Sequence, residues 1–179
     1  MKRIILSIAF FFLTQILFSL DHSVERQAMI LNEKGVALIE SNSEKALEYI
    51  RQAHSLVKEA PEYINNIGVV YAYNGQYRKA LPYFEKAIEL NSDYPEGYFN
   101  QGVCYQNTGK NYKAIHFYKK AIINDPKYWQ AYYNLGLVYS RVGDKRNAIV
   151  FYQKFIEIAP ESLSEAVEDA KKKVKELSQ

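Results

Sequence analysis

The sequence predicts an all-α protein built as a linear array of antiparallel helix pairs. Three observations carry this. Gly68, Gly102 and Gly136 stand 34 residues apart, and so do Gly75, Gly109 and Gly143. Ala80, Ala114 and Ala148, and Tyr71, Tyr105 and Tyr139, keep the same period. Within each unit the recurrent positions fall three and four apart, as in Tyr98, Gln101–Gly102 and Tyr105, which is one face of a helix. A fixed period of this length marks a stacked repeat architecture, in which each unit buries its apolar face only against its neighbours.

The chain opens on Met1–Lys2–Arg3 and continues as an apolar run from Ile4 to Phe18. A basic start followed by an apolar stretch is the signature of a secretory signal. The run to Leu20 is short of the roughly 20 apolar residues that a spanning helix wants. Ser19 suits a cleavage site, whereas the bulky Leu17 does not, so residues 1–20 read as a signal peptide or as an uncleaved N-terminal membrane anchor. No cysteine stands near the end of the run to carry a bacterial lipid anchor. The expected location is outside the cytosol: periplasmic, in the cell envelope or secreted, with anchoring by an uncleaved helix as the alternative.

The body divides by its period. Residues 61–94 carry Ile64, Ile67, Gly68 and Tyr71, then Ala80 and Phe84, then Ser92. Residues 95–128 repeat the pattern as Tyr98, Gln101, Gly102, Tyr105, Ala114, Tyr118 and Pro126. Residues 129–162 repeat it as Tyr132, Leu135, Gly136, Tyr139, Ala148, Tyr152 and Pro160. A degenerate unit precedes them at 27–60, where Ala46 and Ala53 keep register with Ala80 and Ala87. There Gly35 precedes Ala46 by 11 residues instead of 12, so one residue is missing around Ser41–Asn42–Ser43. Residues 163–179 continue as a polar helix with a thin apolar stripe, suited to cap the open end of an array.

These columns closely resemble the tetratricopeptide repeat, whose pattern runs tryptophan, leucine–glycine, tyrosine, alanine, phenylalanine, proline. The resemblance covers about residues 27–162 and implies a right-handed α-solenoid, the TPR superhelix, with a C-terminal capping helix. Three positions depart from it: Ser92 for proline, Gln101 in an apolar column, and Phe155 where Ala87 and Ala121 stand in the other units. The small glycine at 68, 102 and 136 lets paired helices approach closely, and Gly75, Gly109 and Gly143 end the first helix of each pair. Asp144 is placed to cap the helix that follows it.

Composition excludes several functions. Setting aside Lys2 and Arg3, the chain holds 21 basic and 20 acidic residues, a balance without the cationic excess of a nucleic-acid binder. Of the 16 tyrosines, ten occupy recurrent columns and read as helix packing; a base-stacking platform would need interleaved basic residues, which the columns lack. His22, His54 and His116 are dispersed and read as surface residues, so no metal site is expected. The single cysteine, Cys104, shares its column with Val70 and Val138 and reads as a small buried hydrophobe. No phosphate loop, nucleophile elbow or zinc-protease motif is present. The chain is expected to be no enzyme and to use no cofactor.

The resemblance further implies a partner-binding groove on the concave side, lined by the first helix of each pair. Asn66, Asn100 and Asn134 form an amide ladder there, either for a peptide backbone or for bonds between repeats. Val69, Val103 and Leu137 lie beside it. Tyr73, Phe99, Tyr133 and Arg141 complete the candidate surface, and packing does not call for Phe99 or Tyr133. The clamp for a C-terminal carboxylate found in some family members is disfavoured, because Asn65, Phe99 and Tyr133 occupy its lysine positions. The expected partner is a protein or peptide, with no nucleic acid and no membrane beyond the N-terminal segment; self-association is a further option. The function read from this is an exported scaffold or assembly module, and the alternative is a subunit of an envelope enzyme complex. Residues 1–30 fused to a reporter active only after export should give signal; a soluble cytosolic reporter would refute the targeting reading.

Overall fold

The computed structural model of the chain describes residues 22–179. The proposed targeting segment, 1–20, lies outside the described residues. Helix α1 covers 22–37. It is followed by α2 (Ser43–Leu56), α3 (Pro61–Tyr73), α4 (Tyr77–Leu90), α5 (Pro95–Asn107), α6 (Asn111–Asn124), α7 (Trp129–Arg141), α8 (Lys145–Ile158) and α9 (Ser164–Leu177). Among the described residues these nine helices and a short 3-10 turn at Glu161–Leu163 are the regular structure, with no strand. None of the described helices is long and apolar enough to cross a membrane. Consecutive helices pack on one another, giving an α-solenoid of antiparallel pairs closed by α9.

One contact recurs in every pair. A Cβ added at Gly68 would lie 2.6 Å from the Phe84 ring, at Gly102 2.5 Å from the Tyr118 ring, and at Gly136 2.6 Å from the Tyr152 ring. At Gly35 it would lie 2.4 Å from Ile50 Cγ1. Ile50, Phe84, Tyr118 and Tyr152 are themselves buried, with Ala46, Ala80, Ala114 and Ala148 beside them one helical turn earlier. The pair α1–α2 is therefore built on the same contact as the other three, with isoleucine replacing the aromatic ring.

The turns inside the pairs follow from glycine. Gly75, Gly109 and Gly143 adopt φ of 71°, 75° and 82°. The amide after each reaches back across the helix end: Gln76 to Tyr71, Lys110 to Tyr105, and Asp144 to Tyr139. That 6→1 bond is the Schellman closure, which needs the left-handed residue before it. In the first pair the interval from Gly35 to Ala46 is one residue shorter, yet five residues separate the helices instead of three and none has positive φ; Asn42 caps α2 by accepting from the Lys45 amide at 3.0 Å. Asp144 caps α8 as the sequence suggests, accepting from the Asn147 amide at 3.0 Å. Pro61 and Pro95 start α3 and α5, where a missing N–H costs nothing.

The departures from the repeat pattern have local consequences. Gln101 is 2% exposed, and its Oε1 accepts no hydrogen bond among the described residues. Phe155 is fully buried against Trp129 and Tyr133, filling space that alanine leaves to the next pair elsewhere in the array. His54 is half-buried, not a surface residue; burial, then the nearby Lys58 charge, lower its pKa.

The two glycine classes should fail differently. Gly102→Leu drives a side chain into the Tyr118 ring and should cost about 3 kcal/mol or more, given that overpacking typically costs 1–3. Gly109→Ala meets nothing within 4 Å, so only its left-handed backbone is penalised, at about 1–2 kcal/mol. Denaturant melts of the two variants check the ordering.

Candidate functional site

The first helices, α1, α3, α5 and α7, lie side by side, and amide bonds join three of them. Asn66 Nδ2 donates to Asn32 Oδ1 at 3.0 Å, and Asn100 Nδ2 donates to Asn65 Oδ1 at 2.9 Å. Asn32 and Asn65 each stand three residues before the packing glycine of their unit, and Asn66 and Asn100 two residues before theirs. The rule is thus one donor reaching back to one acceptor in the preceding unit. Phe99 replaces that acceptor in the next unit. Asn134 accordingly turns inward and donates to the Gln130 carbonyl of its own helix at 2.9 Å. Asn66 and Asn100 spend their donors on the fold; Asn134 does not join the ladder.

Phe99 and Tyr133 are tied into packing, which corrects the expectation that packing does not call for them. The Phe99 ring lies 5.5 Å from Tyr118 and 5.3 Å from Tyr128. Tyr133 lies 5.1 Å from Phe155 and 5.9 Å from Tyr152. Its hydroxyl donates to Asp169 Oδ2 at 2.8 Å, which binds α9 to α7. Both residues remain half-buried. The aromatic substitution at this column had a sequence signal: Asn32, Asn65, Phe99 and Tyr133 share one offset from the packing glycine.

Two candidate residues stay open. Tyr73 is 54% exposed at the end of α3. Arg141 is exposed in the last turn of α7, with Nη1 donating to the Gln106 carbonyl at 3.5 Å. Asn107 occupies the same column on α5 and is also exposed. One turn earlier, Val69, Val103 and Leu137 form a half-buried apolar column. The open surface of the first helices is therefore these two columns, flanked by the amide ladder.

A second expectation is corrected on the tyrosines. Tyr71–Tyr83, Tyr105–Phe117 and Tyr139–Phe151 stack at centroid distances of 5.4, 5.2 and 5.4 Å, one stack per pair. Lysines do accompany these rings: Lys79 lies 6.0 Å from the Tyr71 centroid, Lys113 5.3 Å from Tyr105, and Lys119 5.6 Å from Tyr139. They come from the second helices, so the first-helix columns alone do not reveal them. The rings are occupied by one another and by these cations, which is packing with cation–π support.

The single thiol is not activated. Cys104 is fully buried, and burial pushes its thiol up to about 12, the opposite of an activated nucleophile. Among the described residues no group of three or more His, Cys, Asp or Glu could hold a metal ion.

Comparison with known proteins places this array. The tetratricopeptide repeat profile matches residues 61–94 and 95–128, and a second profile of the same repeat matches 130–162. The chain belongs to the tetratricopeptide repeat family. Its fold is similar to that of YrrB, described as a TPR protein with an unusual peptide-binding site, at 26% identity and a TM-score of 0.64, covering 81% of this chain and 74% of that one. It is similar in fold to MamA, at 24% identity and a TM-score of 0.61, covering 78% and 88%. The first TPR of Spaghetti (RPAP3), solved with an HSP90 peptide, shares the fold at 18% identity and a TM-score of 0.61, covering 66% and 95%. No curated protein matches the sequence.

Burial raises the hydroxyl pKa of Tyr94, Tyr118, Tyr128 and Tyr152. Burial, then the hydrogen bond to Asp169 and its charge, push Tyr133 up to about 12. A proton held more tightly in the folded state stabilises fully below the ordinary tyrosine value of about 10. That contribution is lost as pH rises through the folded value, because the unfolded chain then binds fewer protons. Melting temperature should therefore fall above pH about 10, and Tyr133→Phe should remove part of that dependence while lowering stability at neutral pH by about 1–2 kcal/mol. Thermal melts against pH, with tyrosinate absorbance, check both.

Proposed function

We propose that this protein is an exported interaction module that holds a peptide or protein segment against its first helices, as a scaffold or assembly factor of the cell envelope. One observation carries the reading. After the fold has used its glycines, alanines and amides, two columns on successive first helices remain open: Tyr73, Asn107 and Arg141, and beside them Val69, Val103 and Leu137. An exposed aromatic and an exposed arginine next to a half-buried apolar strip are the side chains that anchor interfaces. The likeness to YrrB, whose structure is described as having a peptide-binding site, favours a peptide as occupant. The basic start and apolar run of residues 1–20 support export.

Asn66, Asn100, Phe99 and Tyr133 then shape the groove from beneath, since their polar or ring contacts are spent within the array. Peptides selected on the full-length protein from a display library should lose about thirtyfold in affinity, roughly 2 kcal/mol, with Tyr73→Ala plus Arg141→Ala. The melting temperature of that variant should be unchanged. Selected peptides whose binding ignores both substitutions would move the site off the first helices.

A further inference from the structure

Charge in this array is segregated, not excessive. The turns inside the last three pairs, residues 74–79, 108–113 and 142–147, hold six cations and one acid. The acid is Asp144, and its carboxylate is occupied by the Asn147 amide and side chain. The turns between pairs, residues 57–62, 91–96 and 125–130, hold five acids, Glu59, Glu62, Asp93, Glu96 and Asp125, against Lys58 and Lys127. Because α3, α5 and α7 run parallel, the two sets of turns line opposite edges of the solenoid. The first pair is mixed, with Glu40, Glu44 and Lys45 at its turn.

The cationic edge serves the fold only through the contacts of Lys79 with the Tyr71 ring and of Lys110 and Lys113 with the Tyr105 ring. Arg78, Lys79, Lys110, Lys113, Lys145 and Arg146 are all exposed, and none joins an ion pair among the described residues. They cluster at the starts of α4, α6 and α8, none of which has an acid in its first turn. Cations there oppose the helix dipole, which favours acids at that end. The starts of α2, α3, α5 and α9 do carry acids: Glu44, Glu62, Glu96 and Glu165. The first two turns are contiguous: Thr108 of one lines the same depression as Gly75, Arg78 and Lys79 of the preceding one. Tyr112, 79% exposed, stands between Lys110 and Lys113 and is not needed by the core.

We propose that this edge docks an acidic, extended polypeptide segment, on a surface separate from the open columns of the first helices. The spacing suits that partner. Neighbouring pairs are set about 10 Å apart, and three residues of extended chain in the polyproline II conformation span about 9 Å and return a side chain to the same face. An acid at every third position therefore meets the cations of each turn in succession. A nucleic acid carries its charges more closely than these turns are set.

The test is binding of a fluorescent oligo-glutamate peptide to the full-length protein at low and moderate salt. Affinity should fall at least tenfold in the variant Lys79→Gln, Lys113→Gln, Arg146→Gln, and its salt dependence should flatten. The melting temperature of the variant should change little, because losing the Lys79 and Lys113 ring contacts offsets the relieved opposition to the helix dipole. Tyr73→Ala should leave oligo-glutamate binding intact, which separates this edge from the first-helix surface. Undetectable binding, or binding insensitive to the three substitutions, would each overturn the proposal. Tighter capture of anionic vesicles or of a single-stranded oligonucleotide through the same three residues would overturn its choice of partner.

Discussion

Every pair in this array depends on the close approach of one helix to the next at a single glycine. At Gly35, Gly68, Gly102 and Gly136 the space for a Cβ is already taken by the side chain opposite. That contact sets the distance between the two helices of a pair. It also fixes the rotation of each helix, because the side chain that fills the gap must come from one position, Ile50, Phe84, Tyr118 or Tyr152. Glycine weakens a helix by about 1 kcal/mol, whereas burying a large aromatic side chain offsets that with 150–250 Å² of removed surface, in round terms about 4–6 kcal/mol. Once the pair is fixed, the rest of the period follows: the alanines one turn away and the stacked rings at the pair's margin.

The repeat is regular in its packing columns and irregular where polar groups must be matched. Tyr118 buries its hydroxyl and donates it to Gln106 at 2.7 Å. One period later Tyr152 buries the same hydroxyl, but Ser140 stands where Gln106 would be, and the Tyr152 hydroxyl has no partner among the described residues. The amide ladder behaves similarly. It runs while asparagine supplies both donor and acceptor, and it stops at Phe99. Beyond that point the array is held by aromatic contacts, Phe99 with Tyr128 and Tyr133 with Phe155, and by the Tyr133–Asp169 bond to the capping helix. The array thus passes from polar to aromatic cohesion between its second and third family-matched repeats.

Most of the fold was legible in the sequence because one contact per pair repeats at a constant interval. The glycine turns and the Asp144 cap were readable for the same reason: each depends on one residue type at one position. The candidate surface was less legible. Asn66 and Asn100 carry the same residue type whether they bond a partner or the preceding repeat, and only the position of Asn32 and Asn65 decides between these. Phe99 and Tyr133 looked free because their neighbours stand on other elements: Tyr118 on α6 and Tyr128 in a connecting turn for Phe99, Phe155 on α8 and Asp169 on the cap for Tyr133. The lysines over Tyr71, Tyr105 and Tyr139 were missed because stacking joins two helices, while the columns were read one helix at a time.

The division of labour among columns explains how such an array separates stability from recognition. Positions that meet another helix are restricted to glycine, alanine or one large apolar side chain, and substitution there disrupts packing. The column three residues before the packing glycine changes from Asn32 and Asn65 to Phe99 and Tyr133 without altering the helix pairs, because it lies between neighbouring units and can be satisfied by an amide or by a ring. The column of Tyr73, Asn107 and Arg141 changes even more freely, since nothing in the array touches most of its surface. Variation concentrates where the solenoid imposes least, so the residues that differ most from repeat to repeat are those whose identity the fold does not explain. Recognition is to be sought in them, and in the turns whose cations oppose the dipoles of the helices they begin.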